Sequence, residues 1–541
     1  MLFPLLSTFF AKTLFLQFFN KILDKNRSLG LSFCSFDYSG VIMRLFWIFL
    51  FLFAFSVNSI AADKTDKLNN ELEVKKHHNS HSGHKKPKKH SKHKHKNFHV
   101  SKVYVKLPNK HPGPLEFYPT ALIADHQVVT YIAGTPVISS PYLGARPAFD
   151  GSDYIVNISS INRDIRLMEQ RRNLYKAYRA VGYVPPDVPV IAVSGKVIPV
   201  LSAGSNYFNQ LTNNIDLGAD ELDIAAIANK SVEAYMAIAY NSASPGVGVQ
   251  RVAKSGLSLN MGFVNFGNPD KSPLYLTAGQ IYVPFGRYST SMVSPTLPTV
   301  ISRTLARPLI VGYKSEEKIG PLFAAYIFSA DTTLGSNAVG GFNAAYIFSI
   351  LKGSGEIGAS FISSMNNAYG MQYTAAMPNT TFGGFGSLTN GSENVKKIPA
   401  VDVHGNVSFG RYSLTAEWVS AIGRFRTQDL SYNGVGALPQ AGQVEAGLTF
   451  RSFDKPATLS VGYQWSTESL ALNIPQQRVN AVYNISIWKD TLESLEYRHD
   501  FDYGTSQYAN GANAPLFPPN ANSIGTGGGA DTVLLQLGVF F

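Results

Sequence analysis

The sequence predicts an all-β transmembrane barrel of about 16 antiparallel strands, preceded by a small N-terminal periplasmic region containing one helix. Three observations predict it. From residue 190 onward, segments of about ten residues alternate apolar with small or polar side chains. After residue 62 no apolar run approaches the ~20 residues a membrane helix needs. Charged residues make up only 15% of the chain, while glycine (46) and the aromatics Tyr (27) and Phe (35) are abundant. That composition suits a sheet with little charge on its outside.

"VEAYMAIAY" (232–240) shows the alternation: Val232, Ala234, Met236, Ile238 and Tyr240 share one face, and Glu233, Tyr235, Ala237 and Ala239 the other. "GLSLNMGFVNFG" (256–267), "VDVHGNVSFG" (401–410), "YSLTAEWVS" (412–420), "QVEAGLTFRS" (443–452) and "TLSVGYQWS" (458–466) continue the series. A soluble β-sandwich also alternates, but its outward residues are charged, and here Lys and Glu are scarce. Sixteen segments start near residues 190, 217, 231, 255, 274, 300, 321, 340, 355, 400, 411, 442, 457, 478, 491 and 531. Short turns such as "GR" (410–411) alternate with polar insertions at 366–398, 421–441 and 504–530. Short periplasmic turns and long external loops are the barrel pattern, and an even count puts both termini on the periplasmic side. The last segment, "DTVLLQLGVFF" (531–541), is expected to close the barrel against the first. Val533, Leu535, Leu537, Val539 and Phe541 are expected to face lipid, and Phe541 to serve as the signal read by barrel-assembly machinery.

Upstream, residues 43–62 ("MRLFWIFLFLFAFSVNSIAA") read as a secretory signal peptide cleaved after Ala61 or Ala62. It starts at Met43, so residues 1–42 are read as an over-extended N-terminus; a long n-region or a first membrane helix at 1–19 is the alternative. The single cysteine, Cys34, falls in that stretch, which removes disulfides and thiolate chemistry from residues 43–541.

Residues 63–99 read as a disordered linker rich in His and Lys. Nine lysines and no acid lie in 75–99, and residues 100–541 hold only +1 of the formal +11. The body therefore carries no charge footprint for nucleic acid. His77, His78, His81, His84, His90, His93 and His95 are candidate ligands for Zn, Cu or Ni, though their spacing fixes no geometry. Lysine contact with anionic lipid or polysaccharide, or a solvated linker, are the other readings.

Residues 100–188 form the N-terminal region, and 189–541 the barrel. A helix is expected at about 160–180, capped by Ser159 or Ser160, with Ile161, Ile165, Met168 and Tyr175 on one face. Its other residues include Arg163, Arg166, Arg171, Arg172, Lys176 and Arg179. A solvated polar face is the first reading. A membrane-surface or subunit-contact helix is the alternative.

Alternation blurs at 279–313. Arg287, Arg303 and Arg307 there are candidate ligand-binding cations on a loop folded into the lumen, favouring anionic solutes. The alternative puts them on the rim, against lipid phosphates. The stretch "GQIYVPFGRYSTSMVSPTLPTVISRTLARP" (279–308), with "TYIAGTPVISSPYLGARPAFDGSDYIVNISSIN" (130–162), resembles the LbtU-type siderophore porin family over roughly residues 115–541. The resemblance implies an outer-membrane porin in outer-membrane lipid that imports a ferric siderophore, or iron, without a cofactor. The small N-terminal region leaves no room for a large plug, so uptake is expected without an energy-coupling partner. A non-selective or anion-preferring diffusion porin is the alternative. Catalysis is not expected: Asp402, His404 and Ser408 share a strand face, which lines them up along an axis rather than converging them as a triad requires.

Overall fold

A computed structural model describes residues 161–180 and most of 189–541, with the backbone of short strands at 128–132, 135–139, 148–149 and 155–156. The leader, Met43 and the histidine–lysine tract with His77, His78, His81, His84, His90, His93 and His95 lie outside the described residues.

The barrel is one closed sheet of sixteen strands. It begins with β1 (Val190–Val197, continued by Pro199–Ser205), β2 (Leu211–Leu217, continued by Glu221–Ile227), β3 (Val232–Ser242) and β4 (Ser255–Gly267). β5 (Leu274–Tyr282), β6 (Leu305–Ala306 and Leu309–Lys314), β7 (Gly320–Ser329) and β8 (Ala338–Ile350) follow. Then come β9 (Gly353–Ile362), β10 (Ala400–Phe409), β11 (Tyr412–Ala421) and β12 (Gln440–Ser452). β13 (Lys455–Thr467), β14 (Gln477–Ile485), β15 (Thr491–Phe501) and β16 (Gly529–Phe540) complete the wall. Each strand pairs antiparallel with the next, and β16 returns to β1 through Asp531↔Ser205 to Gln536↔Val200 and Val539↔Val197. Beyond that seam, Phe541 and Gly195 exchange two backbone hydrogen bonds. Below it, Thr135–Ser139 adds a parallel strand against residues 191–193 of β1. Closure of β16 on β1 leaves the sixteen-strand wall without a free edge strand of its own.

Connections at the end holding Val190 and Phe540 are two to six residues long. At the other end all but 206–210 are longer, up to the stretch 363–399. We call these the turn end and the loop end. Two strand starts differ from the sequence expectation. β2 begins at Leu211, because its first half, "LTNNIDL", carries too many polar residues to read as a membrane strand. β6 begins at Leu305, because "LPTVIS" before it, although apolar, is a short helix.

Outward positions form an apolar belt. Leu535, Leu537 and Val539 of β16 are 40–49% exposed, as the alternation predicts, whereas Phe540 is 4% exposed and packs with Ile198 and Leu492. Leu309 and Val311 of β6, Val403 of β10 and Val461 of β13 continue the belt. Exposing such side chains to water costs about 1.5–3 kcal/mol each, a cost a bilayer removes. The insertions expected as loops fold partly inward: Met365, Ala368 and Met371 after β9, and Phe425 and Leu430 after β11, are buried.

Candidate functional site in the barrel lumen

Two segments occupy the lumen. The first is α1 (Arg163–Ala180), which begins after Asn162 at φ 58 rather than at the serines. Its first turns lie against the inner faces of β2 to β5 near the turn end. Ile165 and Met168 belong to a buried cluster with Tyr235, Phe263 and Tyr275. Arg163 and Arg171 are 1% and 2% exposed, and Arg166 is 3%. The expectation of a solvated basic face is therefore wrong for these three. The charge of Arg163 and Arg171 is met by inward acids. Arg163 lies 3.9 Å from Glu221 and 3.8 Å from Asp223, and Arg171 lies 3.4 Å from Glu233. Arg171 also donates to the Gly267 carbonyl at 2.6 Å. Asp164 accepts from the Ile165 N–H and the Thr277 hydroxyl, both at 2.9 Å. Burial still holds its carboxyl above the ordinary range.

The second occupant is the segment 283–304, between β5 and β6. It turns inward at Gly286 (φ +74) and Tyr288 (φ 54). A side chain at Gly286 would also meet the Tyr288 ring at 2.4 Å, so both φ and space require glycine. The segment ends in α2 (Leu297–Ser302), where Thr296 caps the Thr299 N–H and Pro298 sits in the first turn. Between turn and helix it runs along the opposite wall, whose side chains satisfy its peptide groups one after another. Ser360 Oγ accepts the Gly286 N–H at 2.9 Å. Glu417 accepts Arg287 N–H at 2.6 Å and Tyr288 N–H at 2.9 Å. Glu445 accepts Ser291 N–H at 2.8 Å. Glu496 accepts Val293 N–H, Ser294 N–H and the Ser294 hydroxyl. Gln464 accepts Leu297 N–H at 2.9 Å, and Arg478 donates to the Pro295 carbonyl at 3.0 Å while pairing with Asp500. Buried peptide groups need such partners, and here the wall supplies them. Burial beside Glu417 pushes the Tyr288 hydroxyl well above the usual phenol range, so it stays protonated within hydrogen-bond reach (2.9 Å) of Ser302.

The three candidate arginines separate. Arg287 lies inside, 3.5 Å from Glu356, in a buried group with His404 and Asp402. Arg303 and Arg307 follow the outward parity of Leu305 and Leu309. The Arg303 guanidinium stacks 4.7 Å from the centroid of the outward Tyr282 ring, and Arg307 Nε donates to Gln280 at 3.3 Å.

His404 Nδ1 is 2.6 Å from Asp402, and its Nε2 is 3.6 Å from Glu356. The hydroxyl beside Asp402 is that of Ser360, which donates to the carboxylate at 3.1 Å rather than to the imidazole. The group buttresses the inward segment. Among the described residues no cluster of His, Cys, Asp or Glu is arranged to hold a metal. Glu417, Glu445, Glu496 and Gln464 were not singled out from the sequence. Their signal was an acid or amide on the small, polar face of a strand, as in "YSLTAEWVS" and "QVEAGLTFRS".

No protein-family model matches the chain. Among solved structures it is similar to the outer membrane channel DcaP of Acinetobacter baumannii, with 11% identity and a TM-score of 0.42, covering 66% of this chain and 99% of that one. It is also similar to an anion-selective porin from Comamonas acidovorans, with 9% identity and a TM-score of 0.42, covering 65% and 100%. A UPF0422 protein of Legionella pneumophila strain Paris is 59% identical over 446 residues, 82% of this chain and 84% of that protein. The UPF0422 protein of Coxiella burnetii is 34% identical over 407 residues, 74% and 83% of the two chains. At this identity and coverage, the chain belongs to the UPF0422 family.

Proposed function

We propose that this protein is a selective channel of the bacterial outer membrane that imports a ferric siderophore, or iron itself, without an energy-coupling partner. The observation that supports a selective channel is the lumen. A closed barrel with an apolar outside carries, within it, a segment fastened by side chains of β9 and β11 to β15. Such a fastened segment narrows a path instead of leaving it open. The cargo is supported by the resemblance of residues 130–162 and 279–308 to siderophore porins. Arg287 is offset by Glu356, so the lumen offers that arginine poorly to free anions and an anion-preferring pore is the weaker reading.

In this reading the turn end, with both ends of the barrel, faces the periplasm. Residues 43–62 direct export, 63–99 form a linker, and Phe541 is read during assembly. Phe541 pairs with Gly195 across the seam, so its loss also removes two closing hydrogen bonds. Deleting Phe541 should lower the heat-modifiable barrel recovered from outer membranes, and an unchanged amount would count against the signal.

The deciding experiment is uptake of labelled iron, free and siderophore-bound, by a deletion strain and its complemented parent. Loss of siderophore-bound uptake is expected if the cargo is a ferric siderophore, and loss of free-iron uptake if it is iron itself. Equal uptake in both strains, together with liposome swelling by sugars of all sizes, would replace the proposal with non-selective diffusion.

A further inference from the structure

The outer wall at the loop end of β4 to β6 interrupts the apolar belt with a polar group that faces away from the lumen. Gln280 Nε2 donates to the carbonyls of Leu259 and Asn260 at 2.8 and 3.1 Å, the latter in a bulge of β4. Gln280 Oε1 accepts Arg307 Nε–H at 3.3 Å. The Tyr282 hydroxyl donates to Asn260 at 3.4 Å, and its ring carries the Arg303 guanidinium at 4.7 Å. Below this group on the same face lie Leu309, Val311 and Leu274, all exposed. Eight strand steps of ~3.3 Å, tilted by about 40°, put Tyr282 roughly 20 Å above Leu274. An apolar band is about 25 Å tall, so the arginines stand near the upper bilayer interface.

From this geometry we infer that Arg303 and Arg307 form a binding site for a phosphorylated lipid headgroup in the leaflet on the loop side. The inference rests on the outer-membrane reading above. Three physical points carry it. Two guanidinium groups on one lipid-facing patch complement a phosphate, and arginine binds phosphate through paired N–H donors where lysine acts as a point charge. Each is oriented along the wall, one by an aromatic face and one by an amide oxygen, so less side-chain freedom is lost on binding. Arg307 and its neighbour Leu309 are both exposed on this face, which puts headgroup and acyl-chain contacts side by side.

The test uses the full chain purified from outer membranes and native mass spectrometry with diphosphorylated lipid A or its dephosphorylated form as probes. The wild type should retain the phosphorylated lipid at least about tenfold better, with the preference weakening as salt rises. Arg307→Gln, an exposed change, should lower that preference several-fold. Arg303→Gln with Arg307→Gln should abolish it. Arg451→Gln, exposed at the turn end, should leave it intact. Equal retention by wild type and Arg307→Gln overturns the inference. So does unchanged lipid preference with an altered oligomeric state, which assigns the arginines to contact with a second copy. Wild-type chain missing from the outer-membrane fraction would sink the channel reading instead, and this inference with it.

Discussion

The two lumen occupants are held to the wall in opposite ways. α1 brings charge to it: Arg163 and Arg171 reach across to Glu221, Asp223 and Glu233. The segment 283–304 is held largely through its peptide groups, and the wall carries the carboxyl groups, those of Glu417, Glu445 and Glu496. The first arrangement is side chain against side chain, so removing one partner strands a buried charge. The second is carboxylate against backbone, so no substitution in the segment itself, proline aside, removes the donors. An inserted helix is therefore expected to be sensitive in its own sequence, and the inward segment mainly in the sequence of the barrel.

The largest effect should come from removing the inward segment altogether. Replacing residues 286–302 with a short Gly/Ser link opens the lumen and frees Glu417, Glu445 and Glu496 to water. Single-channel conductance should rise several-fold, and reversal potentials should shift toward cation preference. An unchanged conductance would mean that the segment does not set the narrowest point.

Next in size is Arg163→Ala. It leaves Asp223 buried without its guanidinium, while Glu221 keeps Lys196 at 3.0 Å, and a broken buried pair costs about 3–5 kcal/mol. The temperature at which the barrel loses its heat-modifiable mobility should fall, and proteases should gain access to 163–180. Adding Asp223→Asn to Arg163→Met should recover most of the loss, because Glu221 keeps Lys196 at 3.0 Å and no charge is then stranded. If that double variant is no better than Arg163→Ala, packing rather than charge holds the helix.

The barrel was legible because lipid and lumen impose a period of two on every strand. Val232 to Ala237 and Leu535 to Phe541 sort by that period, and their exposure follows it. The occupants were less legible, for two physical reasons. An arginine reads as solvent-exposed unless its partner is known, and the partners of Arg163 lie some 60 to 70 residues away on strands β2 and β3. Backbone donors are the same in every residue except proline, so nothing in "GRYSTSMVS" announces that its amides are claimed by Glu417, Glu445 and Glu496. The placement of Arg303 and Arg307 was hidden for a related reason: the segment before them leaves the wall, and the count restarts only where β6 resumes.

On the opposite wall, a smaller effect is expected from Glu496→Ala. It leaves the Val293 and Ser294 N–H groups without their acceptor, at about 1–3 kcal/mol for buried groups so stranded. The expected readout is noisier channel current with little change in barrel melting, since the strands keep their own ladder. Glu496→Gln retains an amide oxygen and should restore most of the quiet behaviour. Equal damage from Ala and Gln would show that charge, rather than acceptance of the amides, fastens the segment.

The smallest effect should come from Arg172→Ala, one residue from Arg171 on the same helix. Its guanidinium meets Asp270 at 2.8 Å and Glu169 at 3.8 Å, with 16% of its side chain exposed and Asp270 at 32%. Water near such a pair screens both the attraction and the loss, so the change should cost at most about 1 kcal/mol. Glu169 also keeps its bond to Lys314 at 2.8 Å, so no acid is stranded. Measured beside Arg171→Ala, whose partner Glu233 is buried, this variant asks whether burial or mere charge fixes the helix in the lumen. A loss from Arg172→Ala as large as that from Arg171→Ala would mean that the helix is held at its rim, and that its buried arginines are passengers.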